Sequence, residues 1–348
     1  MGVPGYSNHS YNYICFTFWT CGTGNTDTAI LWNNPTNYFG TYSSFGTTDT
    51  EIRTNLKKKY ANAGIKIMVS AFGSTENPTS QKYDAITCAD NLASYVTKNQ
   101  LDGVDIDWED TAAFQTASGG GEAWLIKFTT QLRSKLPNAI ITHSPQAPYF
   151  GGKTLYPNNA YLAVDKAVGS TIQFYNVQFY NQGSTSYNTS NSLFNVSGGW
   201  ARGTSVNEII AKGIPKEKIV VGKPATPTDT YSPSSYMSPR DLNAAFVAAY
   251  KYNQFKTGCM FWQFASDPNG TRVSQAMSGL LTLLNSSNIS NSDTNPTVTT
   301  NVVKFGRVSK VMSQPSPSQF LLSLGFPING AFYNVISYSA WTFSYGAV

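Results

Sequence analysis

The sequence predicts an α/β fold in which helices cover a parallel β-sheet. Short apolar runs rich in β-branched and aromatic residues recur along the first 264 residues, and segments with helical periodicity lie between them. This regular alternation is typical of a sheet whose strands all run in one direction. The composition is that of a globular protein, since 41% of the 348 residues are hydrophobic and only 12% are charged.

Seven strands and seven helices are predicted before residue 285. The strands are placed at 12–19, 66–71, 101–107, 139–144, 174–180, 218–223 and 258–264. The helices are placed at about 49–63, 81–98, 121–136, 158–168, 206–212, 240–253 and 274–284. Thr48 and Glu51 have the spacing of a capping box at the start of the first helix, which Gly64 ends. Ser238 and Pro239 mark the start of the sixth helix.

The C-terminal part of the chain is predicted to complete the sheet. A closed (β/α)8 barrel needs eight strands, and the apolar segment 331–341 (AFYNVISYSAW) is the candidate for the eighth. Residues 285–325 are rich in Ser, Asn, Thr and Pro, which is typical of a linker or an extended surface segment. We therefore predict one barrel domain, built from residues 1–284 and 326–348, with 285–325 outside it.

Composition argues against several kinds of partner. The net charge is +5, but the basic residues are scattered and their one cluster, 57–59, lies on a predicted helix, so we expect no binding of nucleic acid. No apolar run is long enough to span a membrane, so we expect no membrane partner. The four cysteines include no CxxC pair, and the chain has only two histidines, so we expect no metal site.

Three residues of the predicted strands are expected to be buried structural groups. Cys15 and Cys259 should be buried thiols, and His143 should be a hydrogen-bonded core residue rather than a catalyst. The other two cysteines, Cys21 and Cys88, are free to pair, but their spacing does not decide whether they do.

The segment 101–110, LDGVDIDWED, carries most of the functional information. Because side chains alternate along a strand, Asp105, Asp107 and Glu109 should share one face. Three acids inside a barrel would be costly as structure alone, and their mutual repulsion should raise at least one carboxyl pKa, as a general acid requires. Glu109 lies nearest the carboxyl end of the strand, where barrel active sites open. A calcium site fits less well, because calcium ligands usually come from loops.

This segment resembles the DGxDxDxE signature of glycoside hydrolase family 18, which includes chitinases and endo-β-N-acetylglucosaminidases. All five fixed positions match, at Asp102, Gly103, Asp105, Asp107 and Glu109. Other segments resemble the plant-type and fungal chitinases of this family, at 69–73 (VSAFG), 144–148 (SPQAP), 175–181 (YNVQFYN) and 260–262 (MFW). The first of these departs from the family pattern at Phe72, where the family has glycine. The resemblance covers residues 12 to 284.

The resemblance also implies an unusual strand order. Residues 11–19 resemble the second strand of the family, and the pattern of the first strand occurs at 335–341. We therefore predict a circularly permuted barrel, in which 331–341 lies between strands 12–19 and 258–264. A detached C-terminal appendage beside an open barrel is the alternative. Closure is favoured because it removes two exposed sheet edges.

The resemblance implies a retaining, substrate-assisted reaction that needs no cofactor. Glu109 would be the proton donor, and Asp107 would orient the 2-acetamido group of the substrate. Asp105 would tune Asp107. Tyr180 would donate a hydrogen bond to the acetamido oxygen, and Gln178 would support that site.

The resemblance further implies a set of substrate-binding residues. Trp262 would form the floor of the sugar site, with Met260 on the same strand. Phe16 and Tyr338 are weaker candidates, and core packing is a serious alternative explanation for each of them. Non-proline cis peptide bonds are also expected, at Cys15–Phe16 and Trp262–Gln263.

The expected partner is chitin or another glycan that contains N-acetylglucosamine, and the expected reaction is hydrolysis of its β-1,4 linkages. An endo-β-N-acetylglucosaminidase that acts on N-glycan cores is the alternative within the family. A chitin-binding lectin on the same barrel is the alternative from another class, although such proteins typically lose the acidic residues that are complete here. The substrate class and six N-glycosylation sequons favour an extracellular location, whereas no signal-peptide pattern precedes the first predicted strand.

Overall fold

The computed structural model describes residues 11–22, 25–39, 45–183, 186–267, 270–288 and 302–304. Eight parallel strands form a closed barrel in which each strand pairs with its neighbours in chain order and the last pairs with the first. The strands β1 to β8 are Tyr13–Trp19, Lys66–Phe72, Gly103–Asp107, Ile140–His143, Tyr175–Gln178, Ile219–Pro224, Cys259–Trp262 and Val302–Lys304. The predicted (β/α)8 fold is confirmed.

Eleven α-helices lie among the described residues. Helices α1 to α11 are Asp27–Asn33, Pro35–Phe39, Asp49–Asn62, Ala85–Lys98, Thr111–Phe114, Gly120–Lys135, Tyr161–Val168, Ser190–Phe194, Val206–Ala211, Pro239–Asn253 and Thr271–Asn288. The predicted capping box of Thr48 and Glu51 starts α3, and Ser238 caps α10 with Pro239 in its first turn. Within the part of the chain described, no helix is both long and apolar enough to cross a bilayer.

The barrel closes through a strand that the sequence analysis did not identify. Val302–Lys304 pairs with β1 on one side and with β7 on the other. It lies within 285–325, the segment predicted to be outside the barrel, and it occupies the place between β1 and β7 that was predicted for 331–341. A strand of only three residues has no periodicity to detect, so composition suggested a linker there. Residues 331–341, including Tyr338, lie outside the described residues, and the permuted order stays a prediction.

Two apolar clusters hold the barrel together. The larger one fills the space between the strands and the surrounding helices. The smaller one fills the barrel interior and is formed by Cys15, Met68, Phe174, Tyr180, Val220 and Met260. Full burial of an apolar side chain of this size contributes about 1.5–3 kcal/mol. Met260, a predicted substrate-binding residue, is thus a packing residue of the interior and is fully buried.

The cysteines divide into one bonded pair and two buried thiols. Cys21, which follows β1, and Cys88 in α4 form a disulfide with their Cα atoms 5.5 Å apart. Cys15 and Cys259 are free and buried, as expected from their places in strands. The disulfide ties the loop at the carboxyl end of β1 to the helical layer.

Candidate active site

The acids of β3 lie where the barrel opens. Asp105 and Asp107 are on the strand, and Glu109 follows it by two residues. Asp105 and Asp107 are buried, whereas Glu109 is partly exposed. Ile106 and Trp108 belong to the outer cluster between strands and helices. The predicted alternation is therefore confirmed, and the three acids form a column that ends at the solvent.

The deepest acid, Asp105, accepts hydrogen bonds from four side chains. Oγ of Ser70 and Oγ1 of Thr142 each donate at 2.8 Å, and Nδ2 of Asn176 donates at 2.9 Å. Oγ of Ser144 lies 2.8 Å from both carboxylate oxygens. These donors come from β2, β4, β5 and the residue after β4, so three neighbouring strands hold this side chain. Neutral donors around a buried carboxyl group favour its charged form.

Gln178 connects the upper two acids. Its Nε2 atom lies 2.8 Å from Oδ1 of Asp107, 3.2 Å from Oε1 of Glu109 and 2.9 Å from the carbonyl oxygen of Ser144. An amide nitrogen carries only two hydrogens, so it can serve two of these three acceptors well at one time. The side chain predicted to support the acetamido site thus contacts the acids themselves.

Two further glutamines position Glu109, and sequence reasoning missed both. Nε2 of Gln146 donates to Oε2 of Glu109 at 3.0 Å, and Nε2 of Gln182 donates to Oε1 of Gln146 at 3.0 Å. Gln146 belongs to the segment SPQAP, and Gln182 directly follows YNVQFYN. The matched segments contained or adjoined these residues, and this was the signal that could have found them.

Tyr180 is buried beside the column of acids. Burial raises the pKa of its hydroxyl well above the usual value, and the nearby charges of Asp107 and Glu109 raise it further. The hydroxyl therefore stays protonated at neutral pH and can act as a hydrogen-bond donor. Among the described residues, no group of three His, Cys, Asp or Glu side chains is arranged to hold a metal ion.

Trp262, the last residue of β7, contacts an aromatic residue that was not predicted. Trp262 is partly exposed and stacks on Phe18, with ring centroids 6.0 Å apart and planes inclined by 19°. Phe16, the predicted candidate on this strand, instead stacks on Trp32 in α1 at 4.8 Å and is fully buried in the outer cluster. Phe16 is therefore the wrong residue, and Phe18 lies beside Trp262 in its place.

Strand β1 is irregular beyond Phe16. Its register against β2 shifts between Phe16 and Trp19, so Phe16 and Phe18, which strict alternation would place on one face, have different surroundings. A cis peptide bond joins Thr17 to Phe18 within this irregular segment, and a second one joins Trp262 to Gln263. The expected cis bond at Trp262–Gln263 is confirmed, whereas the one expected at Cys15–Phe16 lies two residues further along.

The loop that follows β6 is joined to the end of β7. Oδ1 of Asp229 accepts hydrogen bonds from Nε2 of Gln263 at 3.2 Å and from Oγ of Ser266 at 2.8 Å. Oδ2 of Asp229 accepts from the N–H and the hydroxyl of Thr226, which fixes the first turn of this loop. Sequence reasoning did not identify Asp229, because an acid in a loop has no distinguishing pattern.

Lys223 on β6 is a fully buried cation. Its Nζ atom donates to the carbonyl oxygens of Phe179 at 2.9 Å, Tyr187 at 2.8 Å and Ser235 at 2.6 Å. These carbonyls belong to the loops after β5 and β6, so one ammonium group holds both loops. Burial lowers the pKa of Lys223 to about 7, while three carbonyl acceptors match the three donors of the charged form.

A sequence model of the family described as Glycosyl hydrolases family 18 matches residues 6–303, which is most of the chain. The chain belongs to this family. No curated protein matches it in sequence.

Solved structures of family 18 chitinases are similar to this chain. A GH18 chitinase from Pseudoalteromonas aurantia is 29% identical, with 80% of this chain and 96% of that chain covered and a TM-score of 0.61. For a GH18 chitinase from Chromobacterium violaceum the identity is 17%, the coverage 77% and 84%, and the TM-score 0.52. A GH18 chitinase from Cycas revoluta, solved with allosamidin, is 10% identical, with 80% of this chain and 96% of that chain covered and a TM-score of 0.52. The family 18 assignment made from the DGxDxDxE signature is confirmed.

Proposed function

We propose that this family 18 protein is a retaining chitinase, which hydrolyses β-1,4 linkages between N-acetylglucosamine units. One observation carries the proposal. Asp105, Asp107 and Glu109 form a single column, and Glu109 at its open end is linked through Gln178 to Asp107 below it. A partly exposed acid above two buried carboxyl groups is the arrangement that a proton donor to a bound glycan requires. The 29% identical chitinase from Pseudoalteromonas aurantia supports the substrate class.

In the proposed reaction, Glu109 gives its proton to the glycosidic oxygen, and the bond from that oxygen to the anomeric carbon breaks. The carbonyl oxygen of the substrate's own 2-acetamido group attacks the anomeric carbon from the opposite face and forms an oxazolinium ion. Water then adds to the anomeric carbon, the bond to the acetamido oxygen breaks, and Glu109 takes a proton from the water. Two inversions leave the configuration of the anomeric carbon retained.

The other residues would stabilise charge in this reaction. Asp107 accepts the acetamido N–H and lies close to the positive charge of the oxazolinium ion, and Tyr180 donates to the acetamido oxygen. Asp105, held by its four donors, fixes the base of the column. Gln146 and Gln178 donate to the two carboxylate oxygens of Glu109, and they thereby stabilise the anion that forms when the proton leaves.

Hydrolysis of N-acetylglucosamine hexamer tests the proposal. We expect shorter oligomers whose new reducing ends appear first as the β-anomer, as observed by NMR. Glu109→Gln should lower kcat by roughly 10²- to 10⁴-fold, the usual contribution of a general acid. Glu217→Gln, an exposed glutamate just before β6 at the opposite end of the barrel, is the matched control and should leave kcat unchanged.

Other outcomes would assign a different function. Release of N-glycans from a glycoprotein without cleavage of the hexamer would make the protein an endo-β-N-acetylglucosaminidase. Binding of the hexamer without any turnover would make it a lectin. Undiminished turnover by Glu109→Gln would overturn the role of this residue.

We also propose that the protein acts outside the cell. The disulfide between Cys21 and Cys88 supports this, because such bonds persist in oxidising compartments. The expected result is that the protein is found in the culture medium of its source with this bond intact. Detection in the cytoplasm alone would contradict the proposal.

A further inference from the structure

Tyr231 is the most exposed large hydrophobic residue in the described part of the chain, with 85% of its surface accessible. It lies in the connection from β6 to α10 and thus at the carboxyl ends of the strands, the same face as Glu109. A single exposed aromatic residue is ordinary by itself. Tyr252, 77% exposed near the end of α10, is such a residue, and it lies on the opposite face. What distinguishes Tyr231 is how its backbone is held.

The backbone at Tyr231 is tied to the residue that follows Tyr180. The Tyr231 N–H donates to Oδ1 of Asn181 at 2.9 Å, and the hydroxyl of Thr230 donates to the same oxygen at 2.5 Å. The N–H of Ser232 in turn donates to Oγ1 of Thr230 at 3.1 Å. The exposed ring is therefore carried by a chain segment that is bonded to the residue next to Tyr180.

The rest of this loop is bonded to the end of β7 and to β6 itself. Two residues before Tyr231, Asp229 accepts from Gln263, the residue after Trp262. Four residues after Tyr231, the carbonyl oxygen of Ser235 accepts from Lys223. The loop thus spans from the end of β5 to the end of β7, between Tyr180 and Trp262, and it is fixed at both sides.

A fixed loop that keeps an aromatic ring exposed is suited to bind a flat, partly apolar ligand. The loop is ordered before binding, so little conformational entropy is lost when a ligand docks. A tyrosine side chain has only two rotatable bonds, which keeps its own ordering cost low. The C–H faces of a pyranose ring supply the apolar surface that an aromatic ring can cover. A polymer of such rings that crosses the site at Trp262 extends beyond it.

We propose that Tyr231 forms an additional sugar-binding position, on which an N-acetylglucosamine unit remote from the scissile bond stacks. The inference rests on the proposed function, because that function supplies the substrate class. It assigns Tyr231 to the binding of long substrates, with no part in bond cleavage.

Binding to the inactive variant Glu109→Gln tests this position, with calorimetry on the hexamer and the dimer of N-acetylglucosamine as probes. Adding Tyr231→Ala should weaken binding of the hexamer by roughly two- to tenfold, the value of one aromatic contact, and leave binding of the dimer unchanged. Adding Tyr231→Phe, which keeps the ring, should preserve binding of the hexamer. Adding Tyr252→Ala is the matched control and should change neither affinity.

The proposal is overturned if Tyr231→Ala leaves the affinity for the hexamer unchanged, or if it lowers the affinity for the dimer as much as that for the hexamer. It is also overturned if the hexamer does not bind to the Glu109→Gln variant. A loss of equal size from Tyr252→Ala would also overturn it. Turnover of the oligomers by the wild-type protein distinguishes failure of the Tyr231 binding position from failure of the chitinase proposal. If the wild-type protein cleaves none of these oligomers but Tyr231→Ala still weakens the hexamer alone, the chitinase proposal fails and the binding position stands.

Discussion

Strands β3 and β1 both end at the site, but only one of them follows a simple rule. On β3 the period of two holds without a break, and Asp105, Asp107 and Glu109 form one column. On β1 the register shifts near its end, so the ring that reaches the site belongs to Phe18 and not to Phe16. Alternation therefore identifies site residues where a strand is regular, and it fails across the irregular end of β1, where residues two positions apart have different surroundings.

The difference reflects what each strand must do. The acids of β3 need depth, and a regular strand provides it by stacking alternate side chains along the barrel axis. Phe18 lies beyond the regular pairing of β1, and the irregular segment directs its ring towards Trp262. Irregular pairing that re-aims a side chain is common next to active sites.

The largest expected effect concerns the pairing of β1 with β8. A chain that ends at residue 290 lacks β8, which leaves the edges of β1 and β7 unpaired, so we expect it to lose its cooperative thermal unfolding transition. A chain that ends at residue 310 keeps β8 and should retain both the transition and activity. Unfolding of the longer chain would contradict this and would favour 331–341, the segment of the permuted order, as the closing strand.

Two acids of the DGxDxDxE motif, Asp107 and Asp102, test whether alternation along the regular strand β3 separates functional from structural residues. Asp107→Asn should lower kcat/KM by roughly 10²- to 10³-fold, because it removes a charge that stabilises the transition state. Asp102→Asn should keep its activity. Asp102 precedes β3, where it accepts from the N–H of Ile67 at 2.9 Å and lies 3.0 Å from Nζ of Lys57. Equal losses in the two variants would show that the period of two does not separate function from structure here.

Phe16 and Phe18 test which side chain of the irregular strand β1 contributes to the site. Phe16→Ala should lower the free energy of unfolding by about 3–5 kcal/mol, because it opens a cavity beside Trp32. The folded protein should keep its activity. Phe18→Ala should destabilise less but lower kcat/KM by roughly two- to tenfold through loss of its contact with Trp262. Urea unfolding and kinetics on the hexamer measure the two effects, and exchanged roles would restore Phe16, the candidate named from the family resemblance, as the site residue.

How much the sequence revealed depended on the range of the interaction. Local rules identified the cap of α3 by Thr48, the start of α10 and the column of acids, because each needs only a few consecutive residues. The resemblance of segments 175–181 and 260–262 to the family added Gln178 and Trp262. Contacts between distant segments could not be predicted, since Gln146 is 37 residues from Glu109 and Lys223 donates to the backbone carbonyls of three separate residues. Nothing in the residue types marks such partners.

A pH dependence of stability extends the rule of alternation from β3 to β4. Thr142 faces the barrel interior and donates to Asp105, whereas His143 faces outward and contacts the hydroxyls of Thr129 at 3.3 Å and Tyr161 at 3.0 Å. Burial lowers the pKa of His143 from its ordinary value near 6.5 to about 3. Between these values the unfolded chain binds a proton that the folded protein does not.

It follows that His143 makes the protein less stable as the pH falls from 6.5 towards 3, with a slope that approaches about 1.4 kcal/mol per pH unit. His143→Gln cannot take up this proton and keeps groups that can bond to both hydroxyls, so its stability should fall less steeply over the same range. Urea unfolding of both proteins at pH 7, 6, 5 and 4 measures the difference. Parallel slopes would mean that His143 titrates alike in both states, and therefore that the outward face of β4 is not sealed from water.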